Sequence, residues 1–129
     1  MAIISLTAGG AIAAGDVVTL DSAGLAHKAT ALSSDQATAV GIAIDTVSSG
    51  NLFRVNGDSV YPYFAGLTPG EDLYVSVTSG QLANYPAWIS GVVTGGYDYG
   101  YLSRVGRVVT TSGIGVELRP PIFISASGL

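Results

Sequence analysis

The side chains able to carry acid–base or metal chemistry are few and dispersed. The only histidine, His27, stands beside Lys28 just past an expected turn, and the chain has no cysteine. Disulfides and thiolate metal sites are thereby excluded, and no His–His or His–Cys pair can be built. A lone histidine next to a turn reads as structural or solvated. The carboxylates Asp16, Asp21, Asp35, Asp45, Asp58, Glu71, Asp72, Asp98 and Glu117 fall mostly at strand ends and turns, where Asp hydrogen-bonds nearby backbone. Two of them brought together would make an acid/base pair, but nothing in their local spacing asks for it. No G-x-S-x-G elbow, phosphate loop, dinucleotide fingerprint or calcium loop occurs. The reading is therefore no catalytic residue, no cofactor and no metal, hence no enzyme.

Composition narrows the partners. Five Lys and Arg against nine Asp and Glu give a net charge of -4. The basic residues Lys28, Arg54, Arg104, Arg107 and Arg119 include one close pair, too few to neutralise a phosphate backbone, so no nucleic-acid partner is expected. Met1 to Ala14 is apolar but broken by Ser5, Thr7, Gly9 and Gly10, and it lacks the basic start of a secretory signal. No apolar run reaches the length of a membrane-spanning helix. Charged residues make up 11% of the chain against the roughly 25% usual for soluble domains, while 48% is hydrophobic. Two explanations stand: burial of much of the exterior against other protein, or a surface merely rich in Gly, Ala and Ser.

The elements that must carry these residues are strands. Val17 to Leu20, Ala39 to Ile44, Leu52 to Val55, Leu73 to Val77, Tyr99 to Leu102, Val105 to Thr110 and Gly115 to Leu118 are β-branched or aromatic runs of ordinary strand length. Gly-containing turns separate them at the spacing of an all-β sandwich or barrel. The one helical candidate is a single turn within Ser33 to Ala39, capped by Ser33 or Ser34. With 129 residues the chain fits one domain. We divide it into an N-terminal arm (1–14), a single β-domain (15–121) and a C-terminal tail (122–129). Behind Pro120-Pro121 the tail runs along an edge or out to a partner.

The β-domain says the same thing twice, over 15–57 and 66–119. Gly15-Asp16-Val17-Val18-Thr19-Leu20-Asp21-Ser22-Ala23-Gly24 is echoed by Glu71-Asp72-Leu73-Tyr74-Val75-Ser76-Val77-Thr78-Ser79-Gly80, and Ala39-Val40-Gly41 by Arg104-Val105-Gly106. The copies differ in their loops. The second carries Trp88, Tyr97, Tyr99 and Tyr101, the tyrosines at the period of an extended strand. That segment is a contact surface or a hydrophobic cap over one end of the domain. In the arm, Ile3, Ile4 and Leu6 precede a Gly9-Gly10 hinge; they add a strand to a neighbour's open sheet edge or form the first strand of their own sheet.

The ordered set Ala14-Gly15-Asp16-Val17-Val18-Thr19-Leu20-Asp21-Ser22-Ala23-Gly24-Leu25, Ala39-Val40-Gly41-Ile42-Ala43, Gly66-Leu67-Thr68-Pro69-Gly70, Leu73-Tyr74-Val75-Ser76, Arg104-Val105-Gly106 and Val116-Glu117-Leu118-Arg119-Pro120-Pro121 resembles the head decoration, or capsid cement, proteins of tailed bacteriophages. The same motifs occur in modules of phage fibres. Arg107, where a small apolar residue is common, and a long stretch from Pro86 to Gly96 depart from the pattern. The resemblance implies a compact, β-tulip-like virion protein on the outer surface of the phage head. There it would form a homotrimer that binds the major capsid protein and cements neighbouring subunits after expansion. On that reading Ile3, Ile4, Leu6, Trp88, Tyr97, Tyr99 and Tyr101 are the candidate contacts. A fibre-type or carbohydrate-binding module is the alternative.

Overall fold

The structure, a computed structural model, describes residues 3–129; Met1 and Ala2 of the expected arm lie outside them. Strands β1 (Ile3–Thr7), β2 (Val17–Leu20), β3 (Ala26–Lys28), β4 (Ala39–Ala43) and β5 (Leu52–Asn56) form an antiparallel sheet in the order β1-β5-β4-β2-β3. A second sheet follows from β6 (Val60–Tyr61), β7 (Asp72–Val75), β8 (Leu82–Ala83), β10 (Arg104–Val108) and β11 (Ile114–Val116), in the order β6-β11-β10-β7-β8. The two orders are the same permutation of five strands. Between β3 and β4 lies the helical turn α1 (Ser34–Ala37). Between β8 and β10 lie helix α2 (Tyr85–Thr94) and β9 (Tyr99–Leu102). Strand β12 (Ile122–Ser125) pairs with β9 as a separate two-stranded ribbon and ends in a 3-10 turn, Ala126–Gly128.

Backbone hydrogen bonds fix how the copies correspond. Gly15 N donates to Ala43 O and Ala43 N to Asp16 O, both at 2.8 Å; Gly70 N donates to Val108 O and Val108 N to Glu71 O, both at 2.8 Å. Gly15 therefore corresponds to Gly70, with φ of 93° and 89°, a region that favours glycine. The sequence echo, which set Gly15 against Glu71, is one residue out of step here. Side-chain identity suggested that pairing, but backbone conformation decides it.

The second shared signature is a bulge. The β2–β4 register shifts between Val18 and Thr19, skipping Val40, and the β7–β10 register shifts between Arg104 and Gly106, skipping Val105. Each skipped valine precedes a glycine. A Cβ on Gly41 would collide with the Asn56 carbonyl oxygen, and one on Gly106 with that of Gly115. The X-Val-Gly motif is thus required twice because a neighbouring backbone passes too close for any side chain.

The sheets share one core. Val17 and Ile42 from the first, with Ala29 just past β3, meet Leu73, Val75, Val105, Val108 and Ile114 from the second. The opposite face of the first sheet buries Val18, Phe53 and Val55 beneath Ala8 and Ile12. Alternation along β2 therefore feeds two apolar layers, Val17 into one and Val18 into the other.

Two expectations are corrected. No sheet closes into a barrel, since β1, β3, β6 and β8 remain as sheet ends. The limit of one short helical turn also fails. Helix α1 is the anticipated turn, with the Ser33 hydroxyl accepting from Gln36 N at 3.2 Å, but α2 is ten residues long. Its start is capped by Asn84, whose side-chain oxygen accepts from Ala87 N at 2.9 Å, with Pro86 in the first turn.

Candidate contact surfaces

Helix α2 positions the ribbon. Trp88 and Val92, one helical turn apart, are buried, Trp88 to 1% exposure, and pack with Leu102 and Ile124. The Trp88 indole N–H donates to Tyr101 O at 3.3 Å, and Tyr85 stacks on the indole with ring planes 7° apart. Gly100 lies directly against the indole. Trp88, a candidate contact whose segment was read as a contact surface or a hydrophobic cap, is therefore a core residue: it holds the β9–β12 ribbon from beneath.

Alternation along the ribbon leaves the other rings outside. Phe123 stands opposite Tyr101 in the register, and Tyr99 is two residues along from Tyr101, so the three share one face. Their ring centroids lie 5.4 to 5.9 Å apart, with Tyr101 edge-on to both Tyr99 and Phe123. Phe123 is 58% exposed and Tyr99 41%. Tyr97 does not extend this row. It precedes β9, packs against Gly95 and lines a groove with Ser76, Val77, Ser90 and Thr94. The tail, expected to run along an edge or out to a partner, runs along the edge of β9 within this chain; Phe123 was not among the candidate contacts, and the apolar run Ile122-Phe123-Ile124 behind Pro120-Pro121 is the signal for it.

Ile3, Ile4 and Leu6 fall on β1, which pairs with β5 from Ile3 opposite Asn56 to Thr7 opposite Leu52. Among the described residues β1 is the first strand of its own sheet, and its outer side pairs with no strand. Leu6 packs beside Phe53, whereas Ile3 and Ile4 are each over two-fifths exposed. Gly9 is no hinge here. Its N–H donates to Ala26 O at 2.8 Å, Ala8 is held by Asn51 and Gly50, and the His27 ring covers Gly9. His27 Nε2 lies 2.7 Å from Asp21 Oδ2, so the histidine braces the turn and the incoming strand.

The carboxylates are engaged locally. The backbone N–H of Leu25 and the His27 ring hold the Asp21 carboxyl below its ordinary value. The Arg54 guanidinium grips Asp45 with bonds of 2.8 and 3.0 Å, bringing its pKa to about 2. Burial pushes the Asp72 carboxyl up, but Arg107 and Arg104 outweigh it and leave it lowered. Arg107 faces Asp72 across the β7–β10 ladder, 3.2 Å away, which accounts for a cation where an apolar residue was expected. A groove of about 690 Å³ beside α1 is lined by Thr19, Asp21, His27, Lys28, Asp35 and Thr38. Several of these are already bonded within the chain: the Thr19 hydroxyl donates to Thr38 O at 2.7 Å and the Thr38 hydroxyl to Ser34 O at 2.7 Å. Among the described residues, no three His, Asp or Glu side chains are placed to hold a metal ion.

No protein-family model and no curated protein matches the chain. Its surfaces offer backbone edges and apolar rings with few charges to desolvate.

Proposed function

We propose that this protein is a structural virion component, β-tulip-like in arrangement, that binds the outside of an expanded phage head and cements neighbouring major capsid subunits. The ordered motifs running from Ala14 to Pro121 suggest it. The observation that carries it physically is the open outer edge of β1, five residues without a charge or proline. Such an edge accepts a strand from a partner, with backbone bonds supplying affinity and Ile3 and Ile4 supplying apolar contact.

The mechanism is linkage. A protein that binds the mature shell and not its dissociated subunits stabilises the shell by mass action. Contacts to two subunits raise the effective concentration for each successive one. The alternative, glycan binding through the aromatic face, is less favoured: a flat sugar ring needs an exposed flat platform, whereas Tyr101 stands edge-on to its neighbours.

The test adds purified protein to expanded heads stripped of decoration. Saturable binding at fixed stoichiometry and a raised disruption temperature are expected, and absence of binding overturns the reading. Ser5→Lys, which places a charge on the β1 edge, is expected to weaken binding; undiminished binding removes β1 from the interface while leaving the capsid reading open.

A further inference from the structure

Three residues, Gly57, Asp58 and Ser59, carry the chain from the first sheet to the second, between the end of β5 at Asn56 and the start of β6 at Val60. The Asn56 side chain closes this junction. Its Oδ1 accepts from Ser59 N at 2.9 Å and its Nδ2 donates to Val60 O at 3.1 Å, so both ends of the amide are in use. Asn56 is 4% exposed and stands opposite Ile3 and Ile42 in the neighbouring strands. The Ser59 hydroxyl oxygen is likewise shut off from solvent.

The same residue is set apart in the sequence. Of the three asparagines, Asn51 and Asn84 precede the bulky Leu52 and Tyr85, whereas Asn56 precedes Gly57. A following glycine has no Cβ to obstruct the approach of its nitrogen to the asparagine side chain, and its backbone is the freest to make that approach.

We propose that Asn56 is a deamidation site that folding closes, so that its conversion marks chains in which the junction has opened. In the opened chain the Gly57 nitrogen loses its proton and bonds to Asn56 Cγ. The Cγ–Nδ2 bond breaks and ammonia leaves, giving a cyclic imide. Water then adds to either imide carbonyl and opens the ring to aspartate or isoaspartate. In the folded chain the strand ladder holds Asn56 extended, its amide is occupied, and burial keeps water away. Neither product fits the junction. Aspartate sets an acceptor against Val60 O in a buried place where the amide had set a donor. Isoaspartate lengthens the main chain by a carbon atom next to a connection pinned where Val116 N donates to Ser59 O at 3.1 Å.

The test needs no capsid. Purified protein, either native or unfolded in guanidinium chloride, is incubated at mildly alkaline pH. Each asparagine is followed by peptide mass spectrometry, and isoaspartate is detected by enzymatic methylation. Conversion at Asn56 is expected to be at least about tenfold faster in the unfolded chain than in the native protein, with Asn51 and Asn84 slow in both. Gly57→Ala is expected to slow conversion of the unfolded chain. Converted protein and, independently, Asn56→Asp are expected to show a lower denaturant midpoint than the intact chain, or no folding at all. Equal rates at Asn56 in native and unfolded protein, no conversion in the unfolded chain, faster conversion at Asn51 or Asn84, indifference to Gly57→Ala, or an unchanged midpoint after conversion would each overturn the proposal.

Discussion

The backbone of Gly100 runs so close to Trp88 that a Cβ on the glycine would lie 2.9 Å from indole Cζ2 and 2.7 Å from Val92 Cγ2. The ribbon is seated on the helix through this absence of a side chain. Gly100→Ala should therefore overpack the layer and destabilise the protein by about 1–3 kcal/mol, measured by denaturant unfolding. Trp88 is the only tryptophan, so its fluorescence reads the same site directly. Wild-type stability with unchanged emission would mean that the ribbon is not held as described.

Truncation distinguishes the two sides of the ribbon. Trp88→Ala should cost about 3–5 kcal/mol, the range for emptying a buried aromatic site. Phe123→Ala, on the exposed face, should change the stability of the monomer by about 0.5 kcal/mol or less. Comparable losses for both would contradict the assignment of Trp88 to the core and Phe123 to the surface.

The two bulge glycines make a paired prediction. Gly41→Ala and Gly106→Ala each drive a methyl group into a neighbouring carbonyl, where no side chain can swing aside. Each should cost at least about 1–3 kcal/mol. Gly41→Ala should cost more, because its φ of 153° adds backbone strain. Calorimetric melting of the two variants checks the order.

Acid should weaken the fold in a defined window. The Asp45 pKa of about 2 in the folded protein lies below the roughly 3.9 of an unfolded Asp. The stabilisation from this depressed pKa is fully present above the unfolded value and disappears as pH falls through the folded one. Asp72 acts in the same direction, held low by Arg107 and Arg104 against the opposing effect of burial. The melting temperature should fall as pH drops from about 4 to about 2, and Asp45→Asn should flatten part of that fall. The effect is small because the Asp45–Arg54 pair is solvent-exposed.

The strands of the repeated frame were legible because their apolar residues are β-branched and their turns hold glycine: all seven expected runs contain a strand. Strands β3, β6 and β8 were not, since two or three residues give no period to read. Helix α2 was hidden by its composition. Ile89, Val92 and Val93 favour strands, and Gly91 lowers helix propensity, so tertiary packing of Trp88 and Val92 decides the conformation. Asn84 followed by Pro86 was the overlooked start signal. Of the candidate contacts, Tyr99 and Tyr101 share one face of β9 as their spacing suggested, Tyr97 falls before the strand, and Trp88 is turned inward by that same helix. An exposed tryptophan and a buried one look alike in sequence until the partner layer is known.

The matched clamps at Gly15–Ala43 and Gly70–Val108 separate the register of each sheet from the length of the connection it encloses. One copy closes its clamp around a single helical turn, the other around a ten-residue helix and a further strand, and the flanking bonds remain at 2.8 Å. The connection behaves as a cassette slot in a fixed frame. A foreign loop exchanged for the segment around α1 would leave the strand order intact, giving the molecule a second port that evolution, or an engineer, can load.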